Sequence, residues 1–203
     1  MKGDKEFWNR GAKFYATFMK KNERVYENFV ELIAPFLQDN LRVLEIGCAT
    51  GQITFLLSSF VDEVIATDYS ERMIEYANKR KSVENIIFEV ADAIDLPYED
   101  GSFDAVVIGN VLHIVSDADK VLAEAMRVLK PGGRLFALTF IDTESKNTVK
   151  LKVMKLFGFN VKREFTRESY EEYITAAGFE MLKSEVIAAS PLDEGVVVAR
   201  KNK

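Results

Sequence analysis

Apolar residues follow two rhythms along this chain, and the switches between them predict its layers. Residues 4–38 read as two helices; in the second, about 22–38, Val25, Phe29, Leu32, Ile33 and Phe36 recur at helical spacing and mark one buried face. Pro35 predicts a kink or an early end there. From 42 to 141 the rhythm becomes short apolar runs, near 42–46, 63–67, 86–90, 104–109 and 134–140, separated by helical stretches. Near-continuous runs of this kind suit strands buried on both faces, so a parallel sheet with helices on each side is predicted. Loop 91–103 takes the place of a long third helix. Ser70 is placed to cap the helix of Met73, Ile74 and Ala77; Ser116 to Asp119 resembles a capping box before Val121, Leu122, Ala125 and Leu129.

Residues 142–178 break the alternation with a lysine-bearing stretch, 146–163, and a helix after Thr166. Two β-like runs, about 180–188 and 194–200, finish the chain across a turn at 191–195 and read as a hairpin. The expectation is a single α/β domain over 1–203. Residues 1–40 form N-terminal helices, 41–141 a doubly wound core, 142–178 a variable segment and 179–203 the closing hairpin.

Composition narrows the class. With 203 residues, 48% hydrophobic and 29% charged, the chain has the balance of an ordinary globular protein with one sizeable core. A formal net charge of −5 argues against a long phosphate-binding surface, and hence against a nucleic-acid partner. A lone cysteine excludes an intramolecular disulfide and fits a reducing compartment. No run of about twenty apolar residues is present to span a bilayer. The charged N-terminus leads into no apolar core of leader type, so a cytoplasmic location is expected.

The chemistry concentrates at 43–51, Val-Leu-Glu-Ile-Gly-Cys-Ala-Thr-Gly. Gly47 and Gly51 allow a sharp turn and close backbone approach to a ligand. A dinucleotide site usually carries three glycines spaced for a pyrophosphate, whereas here position 49 is Ala and Glu45 precedes the turn. An acid there sits badly beside phosphate and well beside a cation, which weighs against a nicotinamide oxidoreductase. Asp68 ends the second apolar run, where a ribose-binding carboxylate belongs, and Asp92 ends the third. Leu96 to Asp104 leads into a buried strand, and Lys130-Pro-Gly-Gly stops a helix before the next one.

These pieces, in this order, resemble the class I S-adenosylmethionine-dependent methyltransferases, and most of all the small-molecule group that includes the quinone-biosynthesis enzymes. The resemblance covers roughly residues 25–141. It implies a seven-stranded, mostly parallel Rossmann-like sheet, an N-terminal helical lid, and S-adenosylmethionine as cofactor with S-adenosylhomocysteine as product. It assigns Asp68 to the ribose hydroxyls, Asp92 and Ala93 to the adenine, and Gly47, Cys48, Ala49 and Gly51 to the methionine portion. Tyr69 or Met73 would pack on the adenine face, Asn110 would lie near the cofactor, and Glu45 would orient the loop or hold the amino group through water. Tyr15, in an aromatic group with Phe7, Trp8, Phe14 and Phe18, would reach the cofactor or substrate from a lid of residues 4–20 with parts of 142–165. No metal is called for, and a small-molecule methyl acceptor is the expected partner. His113, the sole histidine, stands just past the fourth strand and is the candidate general base. Methylation of RNA or protein on the same fold, or cofactor binding without turnover, are the alternatives.

Overall fold

The computed structural model describes residues 2–18, 23–142, 161–190 and 192–202. Most of the lysine-bearing stretch, and Pro191, therefore lie outside the described residues. The elements run α1 (Lys2–Phe18), α2 (Glu23–Ile33), a 3₁₀ turn (Ala34–Phe36), β1 (Arg42–Ile46), α3 (Gln52–Leu57), β2 (Glu63–Asp68), α4 (Glu71–Arg80), β3 (Ile86–Val90), β4 (Phe103–Gly109), α5 (Ala118–Val128), β5 (Leu129–Ile141), α6 (Arg167–Ala176), β6 (Phe179–Ile187) and β7 (Asp193–Lys201). Pro35 does end α2 early, inside the tight turn that follows it.

The seven strands form one sheet in the order β3-β2-β1-β4-β5-β7-β6. β3 to β5 pair in parallel; β7 runs antiparallel to β5 and to β6. The order reverses between β1 and β4, and a crevice at the carboxyl ends of the strands opens at such a point. Two apolar layers cover the sheet. One joins Phe29 and Ile33 of α2, Ile53 and Leu57 of α3 and Ile74 of α4 to Val43, Val107 and Val198. The other joins Val121 and Leu122 of α5 and Tyr170 and Ile174 of α6 to Leu44, Val106 and Val197. Burying a Leu, Ile, Val or Phe contributes about 1.5–3 kcal/mol each, so these layers dominate the stabilisation.

Local signals explain most of the boundaries. Ser70 accepts from Met73 N–H, and Thr166 with Ser169 makes a reciprocal cap for α6. At α5 the cap is Asp117, which accepts from Lys120 N–H, and not Ser116. The expected break at Lys130-Pro-Gly-Gly is also displaced: α5 stops at Val128, and β5 begins at Leu129, five residues early. A register shift opposite Phe103 and Ala105 lets the strand absorb Pro131 and Gly132, whose φ of +78° needs glycine. Loop 91–102 holds no helix. Arg127 of α5 pins it by donating to the Leu96 and Tyr98 carbonyls and to Glu124, which in turn accepts from Leu96 N–H.

Candidate functional site

The turn after β1 is held from beneath and from one side. Gly47 and Cys48 N–H both donate to the Thr67 carbonyl at 2.8 Å, and Gly51 N–H closes on the Cys48 carbonyl at 2.9 Å. Gly47 and Gly51 have φ of +75° and +86°, and Ala49 shares the left-handed region at +48°. A Cβ on Gly47 would stand 2.2 Å from Val111 Cγ2. Glycine is thus required there twice over, by conformation and by space. Asp68, at the end of β2, fastens the turn: Oδ2 accepts from Ala49 N–H at 2.9 Å and Oδ1 from Ser70 N–H at 2.8 Å. A residue expected to hold a ligand therefore also holds the loop, leaving further lone pairs on each oxygen.

Buried carboxylates gather along this end of the sheet, and Arg80 of α4 reaches the turn itself, donating to the Thr50 carbonyl at 2.8 Å. Glu45 is buried beneath it, accepting from Thr54 Oγ1 at 2.5 Å, and burial pushes its carboxyl up to about 7. Burial likewise lifts Asp68 to about 6. Glu194, at the start of β7, is fully buried, accepts from Asn110 Nδ2 at 2.9 Å, and is pushed up to about 7 by desolvation. Tyr15 stands within the electrostatic reach of all three, beside Tyr26, and its hydroxyl is driven well above the usual tyrosine range by burial. Asn110 itself takes a φ of +57°, rare outside glycine, just past β4. Such backbone strain concentrates where a site over-determines its residues.

The remaining expectations separate. Asp92 is half-buried and folds back on its own loop, Oδ1 accepting from Ile94 N–H at 3.3 Å, with Ala93 half-buried beside it. Tyr69 carries the Lys5 ammonium 5.0 Å over its ring, while Lys5 pairs with Glu71 at 2.7 Å and Asn9 bonds Ser70 at 2.6 Å. α1 thus rests on the start of α4, across the end of β2. Trp8 meets Tyr15 edge-on at 6.0 Å; the side chains of Phe14 and Phe18 lie outside the described residues. Met73 is sealed in the first turn of α4 and offers no open face. Cys48 is buried with its thiol pushed up, the reverse of an activated thiolate.

His113, the candidate general base, is buried at the start of the segment after β4. Its Nδ1 lies 3.0 Å from Thr139 Oγ1, its ring packs edge-on against Phe140, and burial pulls it down to about 3. Burial keeps this imidazole neutral; the residue lines a small pocket with Phe140, Asp142, Arg163 and Phe165, and its carbonyl accepts from Lys162 N–H. Glu194 and Tyr26, by contrast, escaped the sequence reading. The available signal was an acid directly before Gly-Val-Val-Val, a run too apolar to tolerate a charge without a purpose.

Residues 44–137 match the methyltransferase domain family model. This core is a class I methyltransferase domain. The ubiquinone/menaquinone biosynthesis C-methyltransferase UbiE of Desulfotalea psychrophila is 35% identical over 155 residues, covering 72% of this chain and 62% of that protein. A demethylmenaquinone methyltransferase of Leptospira interrogans is 38% identical over 146 residues, covering 66% of this chain and 59% of its own. The chain thus spans about three fifths of the length of these curated relatives. A solved S-adenosylmethionine-dependent methyltransferase of Thermotoga maritima superposes with a TM-score of 0.77 and 23% identity, covering 98% of this chain and 99% of that one, which speaks for the fold. The cofactor of this domain class is S-adenosylmethionine, and the residues fit it: a turn too tight for a Cβ, and enclosed acids suited to a sulfonium and an ammonium. Among the described residues no helix is long and apolar enough to cross a membrane.

The raised acids set a pH dependence. A carboxyl whose folded pKa is raised binds more protons folded than unfolded, so its contribution is complete below about pH 4 and is lost as pH rises through 6 to 7. Glu71 and Glu124 are shifted down by Lys5 and Arg127, and Glu171 by the Ser184 hydroxyl and then Arg167, so these three have finished titrating below this window. The melting temperature of the ligand-free methyltransferase domain is therefore expected to fall between pH 5 and 8. S-adenosylmethionine should offset the fall, with an affinity about tenfold higher at pH 8 than at pH 5.5. Thermal melts across that range, with and without the cofactor, check both signs.

Proposed function

We propose that this chain transfers a methyl group from S-adenosylmethionine to a small-molecule acceptor. The observation carrying the proposal is the glycine turn fastened by Asp68 above enclosed carboxylates. Such a place repels phosphate and rewards a nucleoside with a cationic end. When bound, the cofactor supplies an activated methyl group; the chain's part is to align two reactants and exclude water. In this reading Gly47, Cys48, Ala49 and Gly51 lie along the methionine portion, with Glu45 fixing the turn from below through Thr54. Asp68 takes the ribose, Asp92 and Ala93 meet the adenine edge, and Tyr69 offers a face once the Lys5 ammonium moves aside. Met73 backs that pocket from within the core. Tyr15 and Asn110 border the reacting end, with α1 as a lid. The quinone-ring substrates named for the curated relatives support an acceptor of metabolite size, and a cytoplasmic location goes with it.

The test is methyl transfer from labelled S-adenosylmethionine into a metabolite extract, with an RNA and a protein fraction alongside. Label entering a small molecule is the expected result. Label entering only RNA or protein contradicts the acceptor class, and saturable binding with no label transferred anywhere leaves a binding module in place of an enzyme.

A further inference from the structure

Two buried oxygen acceptors remain unpaired further along the same end of the sheet, among the described residues. Asn110 Oδ1 and Glu194 Oε1 are both buried with no hydrogen-bond partner among the described residues, although the two side chains are joined by the Asn110 Nδ2 to Glu194 Oε2 bond. Buried acceptors are normally satisfied, and a neighbouring pair left open asks for one group that can donate. The Tyr26 hydroxyl of α2 hydrogen-bonds with the Asn110 side chain and with Tyr15 and feels the charge of Glu194, so the cluster has aromatic walls with a hydroxyl on one of them.

Topology separates this cluster from the nucleoside end. The glycine turn, Asp68 and Asp92 follow β1, β2 and β3, whereas Glu194 opens β7, opposite Phe140 of β5 and Ile187 of β6. Three strand spacings part β1 from β7, roughly 14 Å. Glu194 shares the sheet face of Val196 and Val198, under the layer that holds Tyr26 and Phe29. A methyl group presented at the β1–β4 reversal would therefore have the nucleoside on one side and the Asn110–Glu194 pair on the other.

We infer that Glu194 and Asn110 bind the methyl acceptor through an O–H or N–H group, and that Glu194 receives the proton this group gives up. The inference rests on the methyltransferase reading above. The step balances: the acceptor's O–H or N–H proton passes to the Glu194 carboxylate, the electron pair on oxygen or nitrogen forms the new bond to the methyl carbon, and the broken carbon–sulfur pair stays on sulfur. For a phenolic ring methylated at carbon, the same deprotonation feeds the electron pair through the ring; the ring's C–H proton then passes to water, its bonding pair restores the aromatic phenolate, and the phenolate oxygen takes back the proton held by Glu194. The chemical class is thus an aromatic or apolar small molecule with one hydroxyl or amine near the reacting atom.

The experiment measures binding of 1-naphthol, 1-naphthylamine and the donor-free 1-methoxynaphthalene to the full chain saturated with S-adenosylhomocysteine. The wild type is expected to prefer naphthol or naphthylamine at least tenfold over the methoxy compound, and the preferred probe tells a hydroxyl acceptor from an amine. Glu194→Gln should erase that preference while binding S-adenosylhomocysteine within twofold of wild type. Equal or undetectable binding of all three probes by the wild type overturns the inference, as does a preference that survives in Glu194→Gln. A tenfold loss of S-adenosylhomocysteine affinity in that variant also overturns it, by placing Glu194 in the cofactor's own pocket. Failure of the wild type to bind S-adenosylhomocysteine at all would instead sink the underlying methyltransferase reading.

Discussion

Gly47→Ala is expected to abolish saturable cofactor binding and to lower stability by about 2–4 kcal/mol. The left-handed φ alone costs an L residue about 1–2 kcal/mol, and overpacking a filled site adds roughly 1–3. Here the added Cβ meets Val111 Cγ2 at 2.2 Å, and Val111 belongs to the buried layer beneath α5. Relief requires either Val111 or the turn to move, and the turn is the part bound to Thr67 by two backbone hydrogen bonds. Gly132→Ala is the matched control. Its φ of +78° carries a similar strain, but nothing lies within 4 Å of its Cβ, so it should lose stability and keep the ligand. Denaturant melts and calorimetric titration with S-adenosylhomocysteine read both effects. A Gly47→Ala protein that binds like its Gly132→Ala counterpart would remove the turn from the site.

Asp68→Ala should weaken S-adenosylhomocysteine by about thirty- to a hundredfold, the equivalent of about 2–3 kcal/mol. The substitution strips the acceptor from Ala49 N–H and from Ser70 N–H together. Ala49 is already in a conformation that alanine avoids, and Asp68 is what holds it there. The variant thus loses the ribose carboxylate and the pre-set shape of the loop at once. Asp68→Asn keeps one side-chain oxygen, so it can satisfy one of the two amides and should bind between the alanine variant and wild type. Titration calorimetry of the three proteins gives the order directly. Equal affinity for Asp68→Ala and wild type would show that the nucleoside sits elsewhere.

Much of this architecture is written locally, and what is not local was misread. Strands 42–46 and 86–90, the cap at Ser70 and the helix after Thr166 depend on neighbours within a few residues, and they stand as expected. Pro131 and Gly132 ordinarily break a strand, yet pairing with β4 at Leu129 and again at Arg134 carries β5 past them; only the sheet could tell. The same holds for the site. Gly47, Gly51 and Asp68 belong to a compact pattern of known spacing. Glu194 reaches Asn110 from 84 residues away, and nothing near either residue announces the other. His113 is the converse case: its place after β4 is legible in the sequence, while its contacts with Thr139 and Phe140 and the pocket it lines depend on distant segments.

The central claim is that a nucleoside with a cationic reactive end is gripped by the glycine turn and Asp68 among buried acids. A crystal structure of the full chain grown with S-adenosylhomocysteine tests it most directly. The ribose hydroxyls should lie on Asp68 and the sulfur near the β1–β4 reversal, facing Asn110 and Glu194. A nucleoside bound anywhere else, or a glycine turn left bare at saturating concentration, would contradict the account.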